Sequence, residues 1–107
     1  MTDPSYTFVS VSTARPGRLD DLVDLARAPS EKMEGRVSGM LARQVSVDRE
    51  RNTVVVWVTF AARSDLYDYL ASEQGQDDHG EGIDMTEVID TFEMYDLEPV
   101  SSRLAPA

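Results

Sequence analysis

The chain has 107 residues, 41 % hydrophobic and 28 % charged, a composition that suits one small globular domain over 1–107 and not a disordered segment. It contains no cysteine and one histidine, which excludes disulfide scaffolds, thiolate nucleophiles, iron–sulfur clusters and multi-histidine metal sites. The formal net charge is −10, and residues 64–102 hold twelve acidic side chains with no lysine or arginine, so neither nucleic acid nor an anionic membrane surface is an expected partner.

Residues 6–13 (YTFVSVST) are aromatic and β-branched and run into Arg15-Pro16-Gly17, which predicts a strand closed by a turn. Beyond it Leu19, Leu22, Val23 and Ala26 recur at helical spacing, with Asp20, Asp21 and Asp24 near the positive end of the helix dipole. Pro29 is expected to stop or kink this helix and leave a short polar turn over 30–34. A second strand is expected over 37–47, with Gly39 as a bulge or a point of close approach. Residues 48–52 read as a hairpin loop and 53–60 (TVVVWVTF) as a third strand. A second helix begins near Ser64 and ends before Gly75, and a polar, glycine-rich stretch follows over 74–82. A short helix at about 86–90 and a strand over 92–97 complete the order β-α-β-β-α-(α)-β, with the core over about 6–99 and a tail behind it.

No apolar run approaches the roughly 20 residues of a membrane span. The opening Met1-Thr2-Asp3-Pro4-Ser5 lacks the basic and apolar regions of a signal peptide, so a cytoplasmic location is expected.

The element order predicts an α+β ferredoxin-like split βαβ fold, one four-stranded antiparallel sheet with its helices on one face. A sheet with one wet face should alternate apolar and polar residues. The third strand does not: Val54, Val56, Val58 and Phe60 point one way and Val55 and Trp57 the other. The first strand repeats this, with Tyr6 and Phe8 against Val9 and Val11. Two helices cover one face, so a second copy is expected to cover the other, making a homodimer.

In this order and length the chain resembles the antibiotic-biosynthesis-monooxygenase-like family of dimeric α/β barrels. The resemblance spans about residues 6–99 and rests on four places: a first strand running into Pro16-Gly17 and an amphipathic helix; a Glu34-Gly35 to Gly39 stretch before the second strand; an apolar third strand ending in Phe60 and followed by Arg63-Ser64-Asp65-Leu66; and a short helix before the closing strand. It implies two ferredoxin-like subunits whose sheets form a barrel, each with a pocket between sheet and helices. Some members oxidise aromatic polyketide or quinol substrates with dioxygen and neither metal nor flavin. Haem-degrading members carry a histidine where this chain has Tyr69 or Leu70, so haem ligation is not expected. Quinone-forming members use an asparagine and a tryptophan facing one pocket. Asn52 and Trp57 supply those residue types, but five positions apart, which in a regular strand directs them to opposite faces.

The candidate site residues follow from this frame. Trp57 and Phe60 are candidate walls for a flat substrate, with plain core or dimer packing as the other reading of Trp57. Asn52 is a candidate pocket residue by the resemblance alone. Tyr67 could turn its hydroxyl into the pocket or lie on the surface. Arg43, a charge in mid-strand, could bind a carboxylate or phenolate, or pair with Asp96 or Glu98. His79, in Asp77-Asp78-His79-Gly80-Glu81, is a candidate general base or a solvated loop residue. No metal-ligand spacing occurs, and neither metal nor cofactor is expected. The reading is a cofactor-independent monooxygenase acting on a small aromatic or polyketide-type molecule. The alternatives are a non-catalytic ligand-binding or accessory dimer, or a non-oxidative cyclase or isomerase.

Overall fold

Alternating β-branched residues and helical apolar spacing become, in a computed structural model that describes residues 4–34, 37–72 and 85–102, four strands and two helices. The elements are β1 (Tyr6–Ala14), α1 (Leu19–Met33), β2 (Met40–Asp48), β3 (Thr53–Phe60), α2 (Arg63–Ala71) and β4 (Ile89–Leu97), with a 3-10 turn at Met85–Glu87 before β4. The strands form one sheet in the order β2-β3-β1-β4, every neighbouring pair antiparallel. This is the ferredoxin-like α+β arrangement. Among the described residues no helix is long and apolar enough to cross a membrane.

The register sorts the side chains by face. On β1, Phe8 lies opposite Val58 and Asp96, Ser10 opposite Val56 and Met94, and Ser12 opposite Val54 and Phe92. This row faces the helices, and Leu22 and Met33 of α1 and Leu66 and Tyr69 of α2 are buried against it. The other face carries Val9, Val11, Val55, Trp57, Tyr95 and Leu97. No described element lies over it, and Tyr95 and Leu97 are 44 % and 45 % exposed.

Three boundaries differ from those expected. α1 continues through Pro29 to Met33 without a stop. The proline lacks the N–H that would bond the Leu25 carbonyl, a cost of about 3 kcal/mol in a helix interior. Burial of Ser30 and Met33, beyond the proline, carries the helix on. β2 begins at Met40, not at 37, because Gly39 turns the chain with a φ of 88°. The stretch expected as a helix at 86–90 is a 3-10 turn feeding directly into β4, with Val88 fully buried at the junction.

The core divides in two. Tyr6, Met33, Val37, Val58, Phe60, Leu66 and Tyr69 pack at one end of the sheet–helix space, and Ala14, Leu22, Val54 and Val88 at the other. Val56 touches both groups, and the space between them is the site described next.

Candidate functional site

Two core clusters stay apart where side chains between them are small. At positions 10 and 12 the central strand β1 turns serines, not valines or leucines, toward the helices. The result is a cavity of about 630 Å³ between sheet and helices, within the size range of small-molecule sites. Its floor is Phe8, Ser10, Ser12, Val56 and Val58 of the sheet. Its roof is Leu22, Leu25, Ala26, Pro29, Ser30 and Met33 of α1, with Leu66 and Leu70 of α2 at the side. The walls are mainly apolar, and the hydroxyls of Ser10, Ser12 and Ser30 are spaced among them. Ser12 Oγ sits 3.5 Å from the Val54 carbonyl, a weak bond that leaves its donor capacity little used.

Among the described residues, the charged groups of this cavity lie at the end where β1 leaves the sheet. Arg15, Thr86, Ile89, Asp90 and Phe92 line it there. Arg15 Nε–H donates to the Thr86 carbonyl at 2.7 Å, and its backbone N–H donates to the Val88 carbonyl at 2.8 Å. These bonds join the end of β1 to the turn before β4 and hold the arginine at the rim. Sequence reasoning did not single out Ser10, Ser12, Arg15 or Asp90. The one signal was the pair of serines at alternate positions in a strand otherwise aromatic and β-branched.

The residues expected at the site are dispersed. Phe60 is fully buried and stacks on Tyr6, ring centroids 5.9 Å apart, inside one core cluster and away from the cavity lining. Trp57 lies on the opposite face of the sheet, where its Nε1–H donates to Gln44 Oε1 at 3.0 Å. Asn52 sits in the β2–β3 hairpin with a φ of 54°, and its Nδ2 donates to the Ala14 carbonyl at 2.5 Å. It ties that hairpin to the end of β1, a structural bond remote from Trp57. Tyr67 is 40 % exposed, and its hydroxyl turns to Asp96 of β4 and not into the cavity. His79 falls within 73–84, outside the described residues.

Arg43 faces the helices, because a register shift between Met40 and Ala42 places it opposite Val58. Its partner is Glu34, with Nη2 to Oε2 at 2.7 Å, while Nη1 is 3.4 Å from Ser30 Oγ and Nε is buried without a partner. Pairing with Asp96 or Glu98 is ruled out by topology, since β2 and β4 are opposite edges of the sheet. Arg43 therefore reaches the cavity only through Ser30.

Arg63 takes the place foreseen for Arg43 at Asp96, with Nη2 to Oδ2 at 3.4 Å. Asp96 Oδ1 accepts hydrogen bonds from Tyr6 Oη and, at 2.9 Å, from Tyr67 Oη. The Arg63 guanidinium lies 4.9 Å from the Tyr67 ring centre and 5.9 Å from that of Tyr6. The hydrogen bonds from Tyr6 and Tyr67, with the Arg63 charge behind them, hold the Asp96 carboxyl below its usual range. Burial first, then the bond to Asp96, pushes the Tyr6 phenol far up. The cluster clamps β1, α2 and β4 together and opens onto no cavity lining. Among the described residues no three His, Cys, Asp or Glu side chains gather as a metal site.

No family model and no curated protein matches the chain. Solved structures do. A protein of Bacteroides thetaiotaomicron named a putative antibiotic biosynthesis monooxygenase superposes with a TM-score of 0.74 over 100 % of both chains at 18 % identity. One of the same name from Chloroflexus aurantiacus gives 0.67 over 92 % of this chain and 95 % of its own, at 17 % identity. A Pseudomonas aeruginosa protein gives 0.73 over 94 % and 99 %, at 16 % identity. At these identities the likeness is one of fold. The chain has the ferredoxin-like α+β fold found in structures named for antibiotic biosynthesis monooxygenases.

Proposed function

We propose that the cavity binds a small, largely apolar molecule of aromatic or polyketide type, and that the protein is a cofactor-independent monooxygenase acting on it as a homodimer. The observation that carries this reading is the 630 Å³ space walled by α1 and β1, in a fold shared with proteins named for that activity. In such a reaction an ionised substrate itself reduces dioxygen: a ring CH₂ becomes C=O, one oxygen atom becoming the carbonyl oxygen and the other leaving with the two hydrogens as water. The protein's part is to accept a proton, hold the anion and exclude water. Asp90 is the carboxylate of the lining and the proton acceptor of this reading; the hydroxyls of Ser10 and Ser12 are donors to the substrate oxygen. The uncovered face bearing Val9, Val11, Val55 and Trp57 supports pairing with a second copy.

The test is oxygen uptake and product formation with a panel of anthrones and hydroquinones. Ala26→Trp, which fills the cavity from α1, is expected to abolish both binding and uptake. Asp90→Asn is expected to abolish uptake while the quinone product still binds. Binding by wild type without uptake across the panel would leave the ligand-binding alternative and remove the oxygenase. Unchanged binding in Ala26→Trp would remove the site altogether.

A further inference from the structure

Most arginines in this acidic chain are engaged. Of the seven in the described residues, Arg18, Arg27, Arg43, Arg49, Arg51 and Arg63 each lie within 4 Å of a carboxylate, on Asp21, Glu31, Glu34, Asp20, Asp48 and Asp96 in turn. Arg15 is the exception among them, and it is also the one cation among the described residues that line the cavity. Its Nε is fixed on the Thr86 carbonyl at 2.7 Å, which sets the plane of the guanidinium and leaves the two Nη groups without a described partner. Asp90 lines the same rim but makes no direct pair with it, so no carboxylate among the described residues cancels the arginine's charge by contact. A guanidinium with its terminal edge open matches a carboxylate through two parallel N–H···O bonds. A cation with no carboxylate partner among the described residues, at the rim of an apolar cavity, is the complement of an amphiphilic acid.

We infer that Arg15 is a specificity-determining residue that receives a carboxylate, so that the ligand of this cavity is an apolar body bearing one carboxylate at the end near β4. The inference rests on the cavity being the binding site. The body lies between Val56 and α1, and the acid group reaches the rim, where Arg15 meets it before it is fully desolvated. The hydroxyls of Ser10 and Ser12 remain for a second oxygen further in.

The experiment compares two fluorescent probes of one shape, anthracene-9-carboxylate and 9-anthracenemethanol, titrated against wild type, Arg15→Met, Arg15→Lys and Ala26→Trp. Wild type is expected to bind the carboxylate at least about ten-fold tighter than the alcohol, the scale of a charge-assisted pair at a partly wetted rim. Arg15→Met is expected to abolish that preference, the carboxylate falling to the affinity of the alcohol, and continued saturable binding of the alcohol shows that the pocket still forms. Arg15→Lys keeps the charge but loses the fork and should retain only part of it. Alcohol binding with no preference in wild type, or a preference that survives Arg15→Met, would overturn the inference and leave the cavity standing. Binding of neither probe to wild type, or equal binding to Ala26→Trp, would overturn both.

Discussion

Single residues in this protein are held to their identities by backbone geometry and close approach. Gly39 has a φ of 88°, and a Cβ there would run into the Asp65 carboxylate. That carboxylate is itself in use, since its Oδ2 accepts the Ala62 N–H at 3.0 Å and closes the first turn of α2. Gly39→Ala therefore strains the backbone and displaces a cap at once. We expect a loss of about 2–3 kcal/mol, from a left-handed conformation at 1–2 and a cap at about 1, read as a lowered urea midpoint. An unchanged midpoint would mean that Asp65 moves aside freely. Asn52 shows the same economy differently: its φ of 54° is one that asparagine tolerates, and its side chain bonds the Ala14 carbonyl.

At the level of elements, the Asp96 cluster joins one strand, one helix and the edge strand, and its protonation states decide when it holds. The folded Asp96 carboxyl sits below its ordinary value, so its contribution is present above the unfolded carboxylate range and is lost as pH falls through the folded value. The Tyr6 phenol is raised, so its contribution is present below the ordinary tyrosine range and is lost as pH climbs above about 10, where the unfolded chain ionises. Asp96→Asn should accordingly be less stable than wild type near neutrality, with the gap closing as pH falls through the ordinary aspartate value of about 4 and below it. Other carboxylates titrate in both proteins and cancel in the difference. Paired urea unfolding curves across that range check it, and a gap that stays constant would show that the charge of Asp96 is not what holds the cluster.

For the whole molecule, the two faces of the sheet have separate tasks. The helix-side face makes the cavity, and the other carries Val9, Val11, Val55 and Trp57 with no described element over them. In the dimer we propose, Trp57→Glu places a charge in the apolar patch without touching the cavity. Sedimentation at micromolar concentration should then show single chains for the variant and pairs for wild type, with binding of 9-anthracenemethanol retained in both. Single chains for wild type would sink the dimer and spare the cavity. An effect of Trp57→Glu on binding with no change in assembly would mean that the two faces are coupled through β3.

Much of the fold was legible because its determinants are local. The turn at Pro16-Gly17, the helical spacing from Leu19 to Ala26 and the two-sided apolar pattern of Val54–Phe60 each lie within one element, and the strand order follows from their succession. Three features were not. Pro29 argues for a stop, yet buried contacts of Ser30 and Met33 outweigh one missing hydrogen bond. The irregularity near Leu41 changes which face Arg43 occupies, and no residue type announces it. The cavity joins residues of β1, α1, α2 and β4 up to 84 positions apart, from Phe8 to Phe92. The sequence by itself determined the elements and the greasiness of both sheet faces, because periodicity is written in neighbouring residues. Only the tertiary structure decided where space is left and which charges border it, because empty volume and unpaired charge depend on packing and register among distant segments.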